Sequence, residues 1–235
     1  MSNEPMIPKS LFRRRNLPHW DEPGATFFVT GCLEGSIPAR GQLDLCRYRD
    51  ELAARPRPVD VSEADWEVHL WKLGFARLET YLDAGEGTRW LAEPAQAKAV
   101  ADALRFFAGE RYDLISFVIM PTHFHCLFRA LPEWVATLPE SDPVRSPRER
   151  IMYSFRRYSA RQCNLLLGRH GTYWQHESYD HWVHDLDELE RIIHYIENNP
   201  VKARLIGSAV DWEFSSAAVR ARLGLSFGAS IPKAG

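Results

Sequence analysis

The segment from Tyr112 to Leu131 most constrains the fold. "YDLISFVIM" and "HFHCLFRAL" are two strand-like runs joined at Pro121-Thr122. Their length, their β-branched and aromatic content and the proline turn predict a β-hairpin. "ATFFVTGCL" (Ala25 to Leu33) reads as an earlier strand and "SYDHWVHD" as a short later one. Helices are predicted over "GQLDLCRYRDELAAR", "SEADWEVHLWKLGFARLETYLDAG" and "PAQAKAVADALRFFAG". The Pro-rich "RPRPVDVS" separates the first two, and Pro94 suits the first turn of the third. In "SPRERIMYSFRRYSARQCNLLLG", Ser146, Pro147 and Glu149 form a capping-box start, with Gly168 as the stop. "DLDELERIIHYIENNP" is a last helix capped by Asp185, with Glu188 three residues on. Its end is expected near Asn198, because Pro200 disfavours helical geometry at Asn199.

The order is strand, helices, hairpin, helix, strand, helix. Two βαβ-like halves around a hairpin predict an α+β fold: a ferredoxin-like antiparallel sheet with helices packed on one face. The other face is expected to stay open for a ligand. Residues 1–24 read as a basic N-terminal arm, 25–217 as the domain with an added helical insertion at about 50–93, and 218–235 as a C-terminal tail.

Composition narrows the class of partner. Of 235 residues, 45% are hydrophobic, enough for a buried core. The formal net charge of -2 gives no global positive field, so a nucleic acid must be held by local basic patches. The four cysteines, Cys32, Cys46, Cys126 and Cys163, have no paired spacing. That excludes a zinc ribbon or disulfide framework and suits a reducing cytoplasm, the expected location. No apolar run approaches the roughly 18 residues of a membrane helix, and the N-terminus has no apolar signal core.

His123 and His125 are two apart in a strand and so share a face with Leu127, while Phe124, Cys126 and Phe128 point the other way. Two adjacent imidazoles can bind one divalent cation. A half-exposed strand also alternates polar and apolar residues, so the pair needs a third ligand and a reacting group beside it. The last helix offers both. Its apolar stripe is Leu189, Ile192, Ile193 and Ile196. Tyr195 falls roughly 110° from the middle of that stripe at about 100° per residue. Asn199, Glu188 and Arg191 lie on the same flank. Asn199 reads equally as a helix cap before proline and as a ligand. A tyrosine hydroxyl is a poor nucleophile at neutral pH unless its target is polarised. A cation held by His123, His125 and Asn199 would polarise a phosphate, and Tyr195 would attack it to give a phosphotyrosine.

"MPTHFH", "YWQHESYDHWVHD", "YIENNPVKARL" and "DWEFSS" together resemble the REP-associated tyrosine transposases, relatives of the single-tyrosine HUH transposases. The resemblance is loose over Ala25 to Leu33 and good from Asp113 to Ala217. It implies a ferredoxin-like fold and Mg²⁺ or Mn²⁺ at His123 and His125, with Asn199 as third ligand. It further implies Tyr195 as the nucleophile that cleaves and transfers single-stranded DNA through a covalent 5'-phosphotyrosine. Tyr153 is the runner-up nucleophile; Tyr158 shares the side of Ile151 and Phe155 and reads as core.

The expected partner is single-stranded or hairpin DNA, held by Lys9, Arg13, Arg14 and Arg15 in the arm, by Arg150, Arg156, Arg157 and Arg161 along the capped helix, and by Lys202. No membrane partner is expected. A homodimer, with the site formed in cis or in trans, is left open. Trp174-Gln175 and Asp180-His181 belong to the motif with no role assigned, and His176, His184 and His194 read as surface residues. Two other functions fit the same residues: a catalytically silent hairpin binder, and a metal-dependent hydrolase in which water attacks.

Overall fold

A computed structural model describes residues 24–139 and 146–234. The N-terminal arm, with Lys9, Arg13, Arg14 and Arg15, lies outside the described residues.

Four strands carry the fold: β1 (Thr26–Leu33), β2 (Tyr112–Ile119), β3 (His123–Ala130) and β4 (Trp174–Trp182). They form one sheet in the order β2-β3-β1-β4, every pair antiparallel. This is the predicted ferredoxin-like arrangement, and the hairpin falls where the two apolar runs placed it. β4 begins earlier than expected, at Trp174, because it pairs back to Leu33 across an irregularity at Gly31/Leu33. Gly31 lies opposite Phe124. A Cβ there would stand 2.3 Å from the Phe124 ring, so only glycine lets that ring lie across β1.

The helices are α1 (Ala39–Ala53), α2 (Glu63–Ala84), α3 (Pro94–Arg105), the short α4 (Pro132–Val135), α5 (Pro147–Leu166), α6 (Leu186–Lys202) and α7 (Ser216–Leu223). Their ends follow ordinary capping chemistry. The Ser62 side chain caps α2 and left-handed Gly85 closes it. α5 has the full capping box of Ser146 and Glu149. Asp185 caps α6 through the Glu188 N–H.

Three expectations are corrected. Helices cover both faces of the sheet. α3 and α5 pack on one, against Val29, Phe117, Phe124, Cys126 and Phe128. The face expected to be open is roofed by α2 and α6, whose Phe75, Leu78, Leu82, Ile193 and Ile196 meet Phe28, Val118 and Leu127. Burying each such side chain stabilises the fold by roughly 1.5–3 kcal/mol, which leaving this face bare would forfeit. Second, α6 does not stop at Asn198 but runs through Pro200 to Lys202. The proline costs one backbone donor in the final turn, and the chain beyond closes that turn through Ala203 N–H to Asn199 O and Leu205 N–H to Pro200 O. Third, 218–234 is no free tail. Buried Arg220 pairs with Glu197 and donates to the carbonyls of Ile115 and Ala229, and Ile231 N–H donates to Leu114 O at the sheet edge.

Candidate active site

β3 presents His123 and His125 to the α2–α6 side of the sheet. They are not outward-facing: their exposures are 1% and 0%. The two Nε2 atoms converge to 3.1 Å. Each Nδ1 is held from behind by a threonine hydroxyl, Thr122 for His123 at 2.8 Å and Thr30 of β1 for His125 at 2.7 Å. The Thr122 hydroxyl donates its proton to Leu82 O, so it accepts from His123 Nδ1–H, which leaves the Nε2 lone pair facing inward. Ligand imidazoles are oriented by such contacts to the far nitrogen. Two ligand atoms at right angles, each roughly 2.0–2.2 Å from an ion, lie about 3 Å apart. The histidine pair fits that spacing.

α6 delivers Tyr195 and, one turn on, Asn199. Tyr195 Oη lies 3.4 Å from His125 Nε2, and Asn199 Nδ2 lies 3.3 Å from the same nitrogen and 3.3 Å from Tyr195 Oη. All of this occurs within one chain, so Tyr195 sits beside its own histidines. Phe28 and Phe75 pack edge-on against the Tyr195 ring and also contact the His125 ring.

The residue that sequence reasoning missed is Glu79, on α2 within the insertion. It is only 4% exposed. Its Oε2 accepts the Tyr195 hydroxyl and lies 3.5 Å from Asn199 Nδ2. Its Oε1 has no hydrogen-bond partner and stands 3.7 Å from His125 Nε2. Asn199 Oδ1 is also buried without a partner. One ligand atom from each of Glu79, His123 and His125 lies within 4.8 Å of the others. Two imidazole nitrogens, a carboxylate oxygen and an amide oxygen are a donor set suited to a divalent cation.

Burial sets the protonation. It lowers His123 to about 3, helped by nearby Lys202, and holds His125 well below the usual imidazole range. It raises Glu79 to about 7 despite the hydrogen bond from Tyr195. Tyr195 is pushed above the ordinary phenol range by burial and then by the Glu79 charge. Both imidazoles are therefore neutral and ready to ligate at neutral pH. A cavity of about 100 Å³ reaches His123 between α2 and the hairpin turn, lined by Asp83, Gly85, Arg89, Thr122 and Leu205 among others.

The other candidates separate from this centre. Tyr153 and Tyr158 are on α5, across the sheet from the histidines, which removes Tyr153 as a rival nucleophile. Tyr158 is 54% exposed rather than core; the buried side chains of α5 are Ile151, Met152, Phe155, Ser159 and Cys163. Arg157 and Arg161 are exposed on α5, whereas Arg156 is partly buried and donates to the His176 carbonyl in β4. Lys202 joins the site's edge, 3.3 Å from Asp83 and 3.8 Å from Glu79. The unassigned motif residues brace the fold. Trp174 packs on Phe124 and donates to Ser159. Asp180 pairs with Arg148, and His181 stacks on Trp71 and meets Glu188 at 3.0 Å. His184 completes a second cluster with these two, but both Glu188 oxygens are engaged, by His181 and by the His184 N–H.

Fold and site thus define an α+β protein with a ferredoxin-like sheet, a buried His-x-His pair and a helix-borne tyrosine beside it. No family model matches the chain. Among curated proteins, it is 27% identical over 111 residues to a protein of Haemophilus influenzae named as a candidate REP-associated tyrosine transposase. That match covers 45% of this chain and 58% of the relative, so the chain spans less than two thirds of the relative's length. A solved structure of a REP-associated tyrosine transposase bound to a REP hairpin is similar at a TM-score of 0.45 and 18% identity, over 87% of this chain and 83% of the other. The resemblance of the motifs to REP-associated tyrosine transposases is thus met by a curated relative carrying that name.

Proposed function

We propose that this chain is a metal-dependent, single-tyrosine HUH enzyme that cleaves and transfers single-stranded DNA, acting at hairpin-forming elements. The observation that carries this reading is the convergence of Tyr195 Oη and Asn199 Nδ2 on His125 Nε2, at 3.4 and 3.3 Å. His123 and His125 would hold Mg²⁺ or Mn²⁺ through Nε2, with the unpartnered Oδ1 of Asn199 as a further ligand. A divalent ion there supplies Lewis-acid polarisation of the scissile phosphate. Tyr195 Oη forms the new bond to phosphorus as the bond to the 3' oxygen of the preceding nucleotide breaks. The product is a 5'-phosphotyrosine and a free 3' hydroxyl, and attack by a 3' hydroxyl reverses the step and joins strands. The aromatic walls of Phe28 and Phe75 hold the tyrosine ring in place for its approach. The motif resemblance supports hairpin DNA as the substrate class, and the curated relative's name supports a transposase.

The test is to incubate the full chain with an end-labelled hairpin bearing a single-stranded flank, with and without Mg²⁺. A covalent adduct is expected in wild type, with Tyr195→Phe forming none and cutting no strand. An adduct in Tyr195→Phe would assign the nucleophile elsewhere. Cleavage without adduct would make this a hydrolase using water. Binding with neither would make it a silent hairpin binder.

A further inference from the structure

We infer that Glu79, from the helical insertion, is a ligand of the same cation, and that its carboxylate ties the nucleophile to it. The inference rests on the metal-binding part of the proposed function. The two carboxylate oxygens have divided environments. Oε2 accepts the Tyr195 hydroxyl. Oε1 is buried, has no hydrogen-bond partner and faces His125 Nε2 at 3.7 Å.

A carboxylate placed only to position Tyr195 would need one oxygen, and burying the other unpaired is costly. A cation beside the two histidine nitrogens satisfies that oxygen and offsets the buried charge. It also meets the second unpartnered atom, Asn199 Oδ1. Lys202 Nζ lies 3.8 Å from Oε2 rather than on Oε1, and it is 53% exposed and closer to Asp83. That positive charge therefore does not satisfy Oε1.

Helix geometry makes the assignment consequential for α2 as a whole. Glu79 stands on the apolar side of that helix, between buried Leu78 and Leu82 and one turn from Phe75. Leu82 O also accepts from Thr122, which holds His123. α2 therefore touches the histidine pair at two points one turn apart. Ligation through Glu79 makes cation binding and α2 docking one equilibrium: each strengthens the other by the same factor. The insertion is then part of the metal centre, and Glu79 is a positioning residue for Tyr195 through Oε2.

The experiment is a Mn²⁺ titration of the DNA-free full chain, followed by the paramagnetic signal of free Mn²⁺. Wild type, Glu79→Gln, His123→Ala and Asp83→Asn are compared after circular dichroism has established that each is folded. Glu79→Gln is expected to weaken Mn²⁺ binding by about tenfold or more, with Asp83→Asn within about threefold as the control for nearby charge. Hydrogen exchange on wild type needs no variant: Mn²⁺ is expected to slow α2 amides around Glu79 as well as those of β3 and α6. If Glu79→Gln keeps wild-type affinity while His123→Ala loses it, or if Mn²⁺ protects β3 and α6 but leaves α2 unchanged, Glu79 is not a ligand and the histidine site stands. If wild type binds no Mn²⁺ at millimolar concentration, the metal reading fails and takes this inference with it.

Discussion

Thr30 and Thr122 determine which nitrogen each histidine presents, and that makes them as informative as the histidines. Thr30 is fully buried and its hydroxyl contacts His125 Nδ1 at 2.7 Å. Thr30→Val keeps the shape and removes the hydroxyl. Mn²⁺ affinity is expected to fall by about 10–100-fold, with Thr30→Ser close to wild type, as calorimetric titration would measure. The histidines also give the fold a pH signature. In the folded chain burial holds His123 at about 3, whereas unfolding returns it to an ordinary value near 6.5. The unfolded state therefore binds more protons over that window, and stability is lost as pH falls from about 6.5 toward 3. Urea midpoints in cation-free buffer should drop between pH 7 and pH 4.5, and His123→Asn should flatten that slope. An unchanged slope in the variant would mean that another group controls acid unfolding. At this scale spacing and motif singled out His123, His125, Tyr195 and Asn199, which the fold brings together. Glu79 stayed hidden although its signal was present: it is a carboxylate on the apolar stripe of Phe75, Leu78 and Leu82.

Elements were legible where local chemistry decides. The strand-length runs, the proline turn, the capping box at Ser146 and the Asp185 cap all appear where the residues place them. Elements were misread where packing overrides local preference. Pro200 argued for a helix end, yet Asn199 and Pro200 are both buried in the last turn of α6, and that packing outweighs the pre-proline bias. The roof over the second sheet face had a cue as well. "YDLISFVI" is a nearly continuous apolar run rather than an alternating one, and such a run signals a strand buried on both faces. Gly31 ties these layers together. Gly31→Ala would drive a methyl into the Phe124 ring, which packs on Phe155 and Trp174. The expected destabilisation is about 1–3 kcal/mol, read as a lower urea midpoint and partly relieved by Phe124→Leu. No change would show that the ring has room to move.

Across the whole molecule, the exposed arginines of α5 and the tyrosine of α6 lie on opposite sides of the sheet. A nucleic acid that touches both must pass around a sheet edge, so affinity and chemistry are separable. Replacing Arg157 and Arg161 together with alanine should weaken hairpin binding and lower the salt dependence of log K by about 1–2, while Mn²⁺ affinity is unchanged. A wild-type salt slope in that variant would place the phosphates elsewhere. No helix among the described residues is long and apolar enough to cross a membrane.

The roof formed by α2 has a consequence for how such a chain could be shortened. Thr30, Glu79, His125 and Asn199 come from four separate stretches, and Glu79 belongs to a segment between β1 and β2 that the four-stranded sheet does not require. A shorter chain with the same strands and α6 but without that segment would keep both imidazoles and open them to water on the side that α2 covers. They would then titrate in the ordinary histidine range, and protons would compete with the ion near pH 6. The extra helix therefore trades chain length for an imidazole pair that stays deprotonated in mild acid.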